Sequence, residues 1–157
     1  MSKQVNTAGV MVRPPRLYLA ALALGIALAW LRPLPLLPIE PMLSWILGGI
    51  LIFGGVGLMV AGMGRFAAAR TPVPTCQPTT ALVTSGIFSW SRNPIYLGIN
   101  AIYFGIALAL NNGWLAIFAV PVVLVMRYGV IAREEAYLES RFSNDYLNYK
   151  KVVRRWL

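Results

Sequence analysis

Histidine is absent from this chain, the acidic residues number only five, and the one cysteine is Cys76. Without histidine the protein lacks the commonest general base, the usual zinc ligand and any Ser-His or Cys-His nucleophile pair. No metal site is expected. A single cysteine excludes an internal disulfide. Charge is scarce as well, at 12% of residues against about 25% in an ordinary soluble domain. Any chemistry therefore has to run on Arg, Glu, Tyr, Asn and backbone groups.

What the chain does have is apolar surface. Of its 157 residues 58% are hydrophobic, more than a small globule has interior volume to hide. Lipid is the alternative solvent. The composition implies an all-α integral membrane helical bundle, with about four transmembrane helices and a C-terminal amphipathic cytoplasmic helix. Its length fits a single domain over residues 1–157. The expected spans are 17–37, 42–63, 94–110 and 114–132. The helical part of the first, Leu17 to Leu31, is short of the roughly 20 residues that cross a bilayer. Pro33, Pro35 and Pro38 forbid its regular continuation. No small-residue cleavage site follows this run, which reads as an uncleaved first span.

The basic residues fix an orientation. Lys3, Arg13 and Arg16 precede the first span; Arg65, Arg70 and Arg92 lie between the second and third. Arg127, Arg133, Arg141, Lys150, Lys151, Arg154 and Arg155 lie at or beyond the end of the fourth. With four crossings only Arg32 falls on the opposite side, so both termini are expected in the cytoplasm. A net charge of +9 on residues that flank apolar runs points to membrane lipids as partners and away from nucleic acid. Tyr18, Trp30, Trp45, Trp114 and Trp156 stand near segment ends, as an interfacial aromatic belt requires. In the glycine-rich second span, Gly57 and Ala61 are the expected pair for close helix packing. Gly55-Val56-Gly57 lacks the strand and helix start of a nucleotide-binding fingerprint.

Two polar stretches remain. Residues 65–91, with Pro72, Pro74 and Pro78 among Thr, Gln and Ser, are too irregular to cross lipid. They lead into Arg92-Asn93-Pro94-Ile95-Tyr96-Leu97-Gly98, where Asn93 is placed to cap the third helix and Pro94 occupies its first position. A helix N-terminus beside Arg92 at the membrane boundary is a ready site for a carboxylate or phosphate. After the fourth span comes Arg133-Glu134-Glu135, two of the five acids side by side. From Arg133 onward Glu135, Leu138, Phe142, Tyr146 and Tyr149 recur at helical spacing and give the tail one largely apolar face.

Together these residues resemble the isoprenylcysteine carboxyl methyltransferase and phospholipid methyltransferase superfamily. The family pattern runs Leu-Val-x-x-Gly, an aromatic two residues on, then Arg-His-Pro-x-Tyr-x-Gly. A helical hairpin separates this from Glu-Glu-x-x-Leu and Phe-Gly-x-x-Tyr-x-x-Tyr. Here the matching residues are Leu82, Val83, Gly86, Phe88, Arg92, Asn93, Pro94, Tyr96 and Gly98, then Glu134, Glu135, Leu138, Phe142, Tyr146 and Tyr149. Asn93 stands where the family has His, Phe88 where Tyr is frequent, and Ser143 where the pattern has Gly.

The resemblance implies S-adenosylmethionine as methyl donor, held by segments 79–98 and 133–152. By carry-over the cofactor-binding residues are Leu82, Val83, Phe88, Asn93, Pro94, Ile95, Tyr96, Gly98 and Glu134. The acceptor would be a lipophilic small molecule of the prenylcysteine-carboxylate or phospholipid-amine type. Arg92 would take the methionyl carboxylate, Glu135 would act as base toward an amine, and Arg127 or Arg133 would orient a carboxylate. In the prenylcysteine enzymes an Arg one turn before the first Glu contacts substrate; that position is Val130 here. A non-enzymatic assembly partner or carrier on the same scaffold is the alternative expectation.

Overall fold

The computed structural model describes residues 8–74 and 77–156; Lys3 and Cys76 lie outside them. Its helices are α1 (Pro14–Leu31), α2 (Pro41–Ala68), α3 (Pro94–Ala109), α4 (Gly113–Val125) and α5 (Ala132–Val152). A 3-10 turn, Gly86–Ser89, precedes α3, and a π-helical turn, Met126–Ile131, joins α4 to α5. Pro14, Pro41 and Pro94 open the first three helices, where the missing N–H costs nothing and the fixed φ favours the first turn.

Three helical stretches are long and apolar enough to cross a membrane: α1, α2 and the rod from Gly113 to Val152; α3 is a shorter apolar helix. The 16 residues of α3 extend about 24 Å. It lies between α2 and α4. The chain is an integral membrane helical bundle.

Packing of α2 on α3 is backbone against backbone. A Cβ on Gly55 would stand 2.6 Å from Gly98 O, and one on Gly48 would stand 2.6 Å from Gly105 O. Gly62 extends the same face, against Ile95. The expected pair Gly57 and Ala61 is not the packing pair. A Cβ on Gly57 meets nothing within 4 Å, and Ala61 is exposed. Two residues turn a helix by about 200°, so Gly55 and Gly57 point almost oppositely and only one of them can face α3.

Sequential helices are not neighbours throughout. α1 packs on α4, so the order across the bundle is α2, α3, α4, α1. Tyr18 donates to Asn100 Oδ1 at 3.0 Å, and Gly25 admits Leu115 against α1. At one end the Pro-rich segment after α1 is strapped to the α3–α4 turn. Gly113 N donates to Leu34 O at 2.7 Å, and Asn111 Oδ1 accepts from Leu36 N and Leu37 N. Asn112 caps α4 through Trp114 N and Leu115 N. The opposite end gathers the start of α1, the end of α2, the start of α3 and the start of α5.

The aromatic belt is partly as expected. Trp30 and Trp45 are exposed at helix ends. Tyr18 is buried on Asn100, so it is a core residue rather than an interfacial anchor; Trp156 is half-buried, packed on one side against the core.

Candidate active site

The loop from α2 to α3 is ordered by a few bonds to its own backbone. Thr71 Oγ1 accepts from Thr80 N at 2.8 Å and Ala81 N at 3.3 Å. Thr79 N donates to Tyr137 Oη at 3.1 Å, tying the loop to α5. Gly86 has φ +65°, and a Cβ there would meet the Arg65 guanidinium; conformation and space both demand glycine. Beside it Phe88 packs edge-on against Phe66, ring centroids 5.2 Å apart.

The C-terminal segment closes over the start of α3. Arg92 N donates to Arg154 O at 3.0 Å, and Tyr149 Oη donates to Phe88 O at 2.6 Å. Asn93 holds the N-cap position, yet its side chain makes no capping bond. Its Nδ2 donates instead to Arg155 O at 3.1 Å, because the incoming tail offers a buried carbonyl.

The π-turn re-phases the rod as it leaves the apolar span, since an extra residue per turn rotates everything after it. It leaves both Glu134 and Glu135 only 6% exposed. Tyr96 Oη donates to Glu134 Oε1 at 2.6 Å. Glu135 Oε1 accepts from Arg155 Nε at 3.1 Å and lies 3.1 Å from Arg92 Nη2. Its Oε2 accepts from Arg155 Nη2 at 2.6 Å. The bond to Glu135 raises the Arg155 pKa above its usual value. Burial pushes Tyr146 and Tyr149 well above the ordinary phenol range.

These groups surround a cavity of about 570 Å³. Leu82, Val83, Phe88, Asn93, Pro94, Ile95, Tyr96 and Glu134 all line it, with Arg92 and Glu135. Gly98 does not. It is buried against Gly55 and Met59, two residues beyond Tyr96 and so on the opposite, helix-packing face. Arg127 stacks 5.4 Å from the ring of exposed Tyr128, and Arg133 Nη1 donates outward to Gly9 O at 2.7 Å. Neither lines the cavity. Both follow from the π-turn, which carries the two carboxylates inward and leaves the flanking arginines outside. Among the described residues no group of His, Cys, Asp or Glu is placed to hold a metal ion.

Sequence reasoning missed Arg155 as the partner of Glu135, and Arg13, Arg16, Met59 and Met63 as cavity wall. No local pattern marks them. They arrive from elements far apart in the chain.

A bundle of apolar helices with a largely apolar cavity at one end, bordered by a few charged side chains, defines a helical membrane protein with a single-ended site. The sequence profile of the phospholipid methyltransferase family matches residues 43–145, and the chain belongs to that family of membrane methyltransferases. It is 41% identical over 63 residues to an uncharacterized protein of Haemophilus influenzae, covering 40% of this chain and all of that one. It is 38% identical over 72 residues to the protein-S-isoprenylcysteine O-methyltransferase of Saccharomyces cerevisiae, covering 46% of this chain and 30% of the yeast protein. No solved structure matches.

Proposed function

We propose that the protein is an S-adenosylmethionine-dependent methyltransferase acting on a lipophilic small molecule, with its cavity at the cytoplasmic face. The observation that carries this reading is the convergence of the Leu82–Tyr96 loop and Glu134 on one cavity, closed by the 2.6 Å bond from Tyr96 to Glu134. Family membership supports the reaction class. Gathering of Arg13, Arg16, Arg65 and Arg92 at the cavity end supports the orientation.

The residues present fit such a cofactor. Arg92 lines the cavity with Nε and Nη1 buried and without a partner, while its Nη2 is held by Glu135. Those two donors are charged N–H groups that a carboxylate can satisfy. Leu82, Val83, Phe88 and Ile95 supply apolar wall for an adenine ring, and Glu134 an acceptor for ribose hydroxyls or an ammonium. When bound, the cofactor supplies an electrophilic methyl on a sulfonium.

The chain's own task is alignment and exclusion of water. Holding acceptor and donor at contact distance removes several kcal/mol from the barrier. A dry cavity favours charge cancellation between an anionic nucleophile and a cationic donor. Glu135 serves as a clamp in this reading rather than as a base. Its oxygens already take three guanidinium contacts, two at Oε1 and one at Oε2, which commits it to Arg92 and Arg155. Its role is to fix Arg92.

The test is titration of the purified full chain with S-adenosylmethionine and its demethylated product, beside Tyr96→Phe and Glu134→Gln. Saturable binding is expected in the parent, weakened about tenfold when one charge-assisted bond is removed. Absence of saturable binding to the parent refutes the reading. Incubating membranes with labelled donor then identifies which extractable species gains methyl.

A further inference from the structure

The start of α1 contributes to the cavity although it lies outside the family-matched segment. Arg13, Pro14, Pro15 and Arg16 form part of its wall. Arg13 and Arg16 are exposed, and neither has an acidic partner among the described residues. Their place is unfavourable to the helix itself. Two cations at a helix N-terminus oppose the macrodipole, and no acid in the first turn offsets them. Charge placement at the membrane surface accounts for arginines before a span. It does not account for both of them lining a cavity.

Across the opening stand Met59 and Met63 of α2. Because α1 packs on α4 and α2 on α3, these two helices flank the cavity from opposite edges of the bundle. In a bundle of this order the gap between them would open toward lipid, with the thioethers of α2 on one side and the guanidinium groups of α1 on the other. Such a slot complements an amphiphile that has an apolar chain and an anionic head. The charged lining favours the same sign. Three arginines stand against two carboxylates, Glu134 bonded to Tyr96 and Glu135 to two guanidiniums. Inside the cavity the Thr79 hydroxyl, 1% exposed, has no partner, a buried polar group that a ligand would satisfy.

We infer that Arg13 and Arg16 form the acceptor's recognition rim, selecting lipophiles whose head carries an oxyanion, carboxylate or phosphate. The inference rests on the methyltransferase reading for the word acceptor, and its own content is the binding of an anionic amphiphile between α1 and α2. Pro14 and Pro15 remove two backbone donors from the first turn, so recognition falls to the two side chains.

The experiment uses the full chain in phosphatidylcholine nanodiscs, titrated with a dansyl-labelled long-chain carboxylate after subtraction of binding to empty discs. Saturable binding is expected, displaced by dodecyl phosphate and not by dodecyltrimethylammonium. The double substitution Arg13→Gln/Arg16→Gln should weaken it about tenfold or more, Arg13→Lys/Arg16→Lys should retain most of it, and the charge-matched Arg141→Gln/Lys151→Gln should leave it unchanged. Doping the discs with phosphatidylglycerol separates the sources of the anion. Competition supports a membrane-lipid headgroup at the rim, and its absence supports a free amphiphile. Equal binding by the glutamine pair and the parent, or equal loss in the charge-matched control, overturns the inference. S-adenosylmethionine binding is measured on every variant. If the parent binds the donor while the rim result is negative, only the rim fails; if the parent does not bind the donor, the methyltransferase reading fails.

Discussion

Arg155 reaches back twenty residues along the chain to grip Glu135 through both carboxylate oxygens, at 3.1 Å from Nε and 2.6 Å from Nη2. Its own backbone carbonyl accepts from Asn93 Nδ2. One residue thus joins the acidic pair at the start of α5 to the start of α3, and the Arg92 guanidinium completes the clamp at Glu135 Oε1.

Replacing Arg155 by Ala removes two charge-assisted bonds to a carboxylate that is almost fully buried. A loss of about 1.5–3 kcal/mol is expected, with Arg92 left as the remaining cation. Arg155→Lys retains the charge but not the planar fork, and should recover part of the loss. Thermal unfolding in detergent and donor titration check both; stability unchanged in Arg155→Ala contradicts the clamp.

Ser143 interrupts α5 with φ +44° and ψ −116°, a region that costs an L-residue of order 1–3 kcal/mol and costs glycine little. The family pattern has Gly there, and the backbone shows why. Ser143→Gly should therefore raise the melting temperature, by an amount equivalent to about 1 kcal/mol after glycine's greater unfolded-state entropy is set against the relief. A lower melting temperature would count against the kink.

The two kinds of glycine on α2 should respond oppositely. A methyl at Gly55 collides with Gly98 O at 2.6 Å, and backbone cannot swing away as a side chain can. Gly55→Ala is expected to cost about 1–3 kcal/mol. Gly57→Ala enters open space and should be neutral or slightly stabilising, since Ala is the better helix former. Melting of the two variants side by side decides the register of the α2–α3 contact.

Alkaline pH should loosen the tail. The Tyr149 pKa is raised above its ordinary value of 10.0 by burial, and its hydroxyl holds Phe88 O. Above pH 10 the unfolded chain sheds a proton that the folded chain keeps, so stability falls as pH rises through that window. At lower pH this contribution is constant. Tyr149→Phe should flatten the decline in melting temperature above pH 10, although it lowers the value at neutral pH by loss of the bond. An undiminished slope would assign the decline to other groups.

Much of the architecture follows from hydropathy and charge along the chain. Burial in lipid needs long apolar runs, and those runs mark α1, α2 and the start of the α4–α5 rod directly. The turn at Asn111-Asn112-Gly113 and the prolines opening three helices were equally legible, because their effects act within a few residues. So was the group of segments that meets at the cavity: Leu82 to Tyr96 and Glu134 carry a pattern with fixed internal spacing.

Tertiary structure alone decided which face of α2 meets α3, which cations reach the carboxylates and what walls the cavity. Sequence favoured Gly57 over Gly55, and Arg127 and Arg133 over Arg155. The reason is rotational. A side chain's direction on a helix depends on phase, and the π-turn at Met126–Ile131 and the kink at Ser143 each shift the phase of everything after them. Periodicity read across such breaks loses register. The contact of Arg155 with Asn93, and the lining of one cavity by both Arg13 and Met63, depend on the order α2, α3, α4, α1, and that order is set by how whole helices pack.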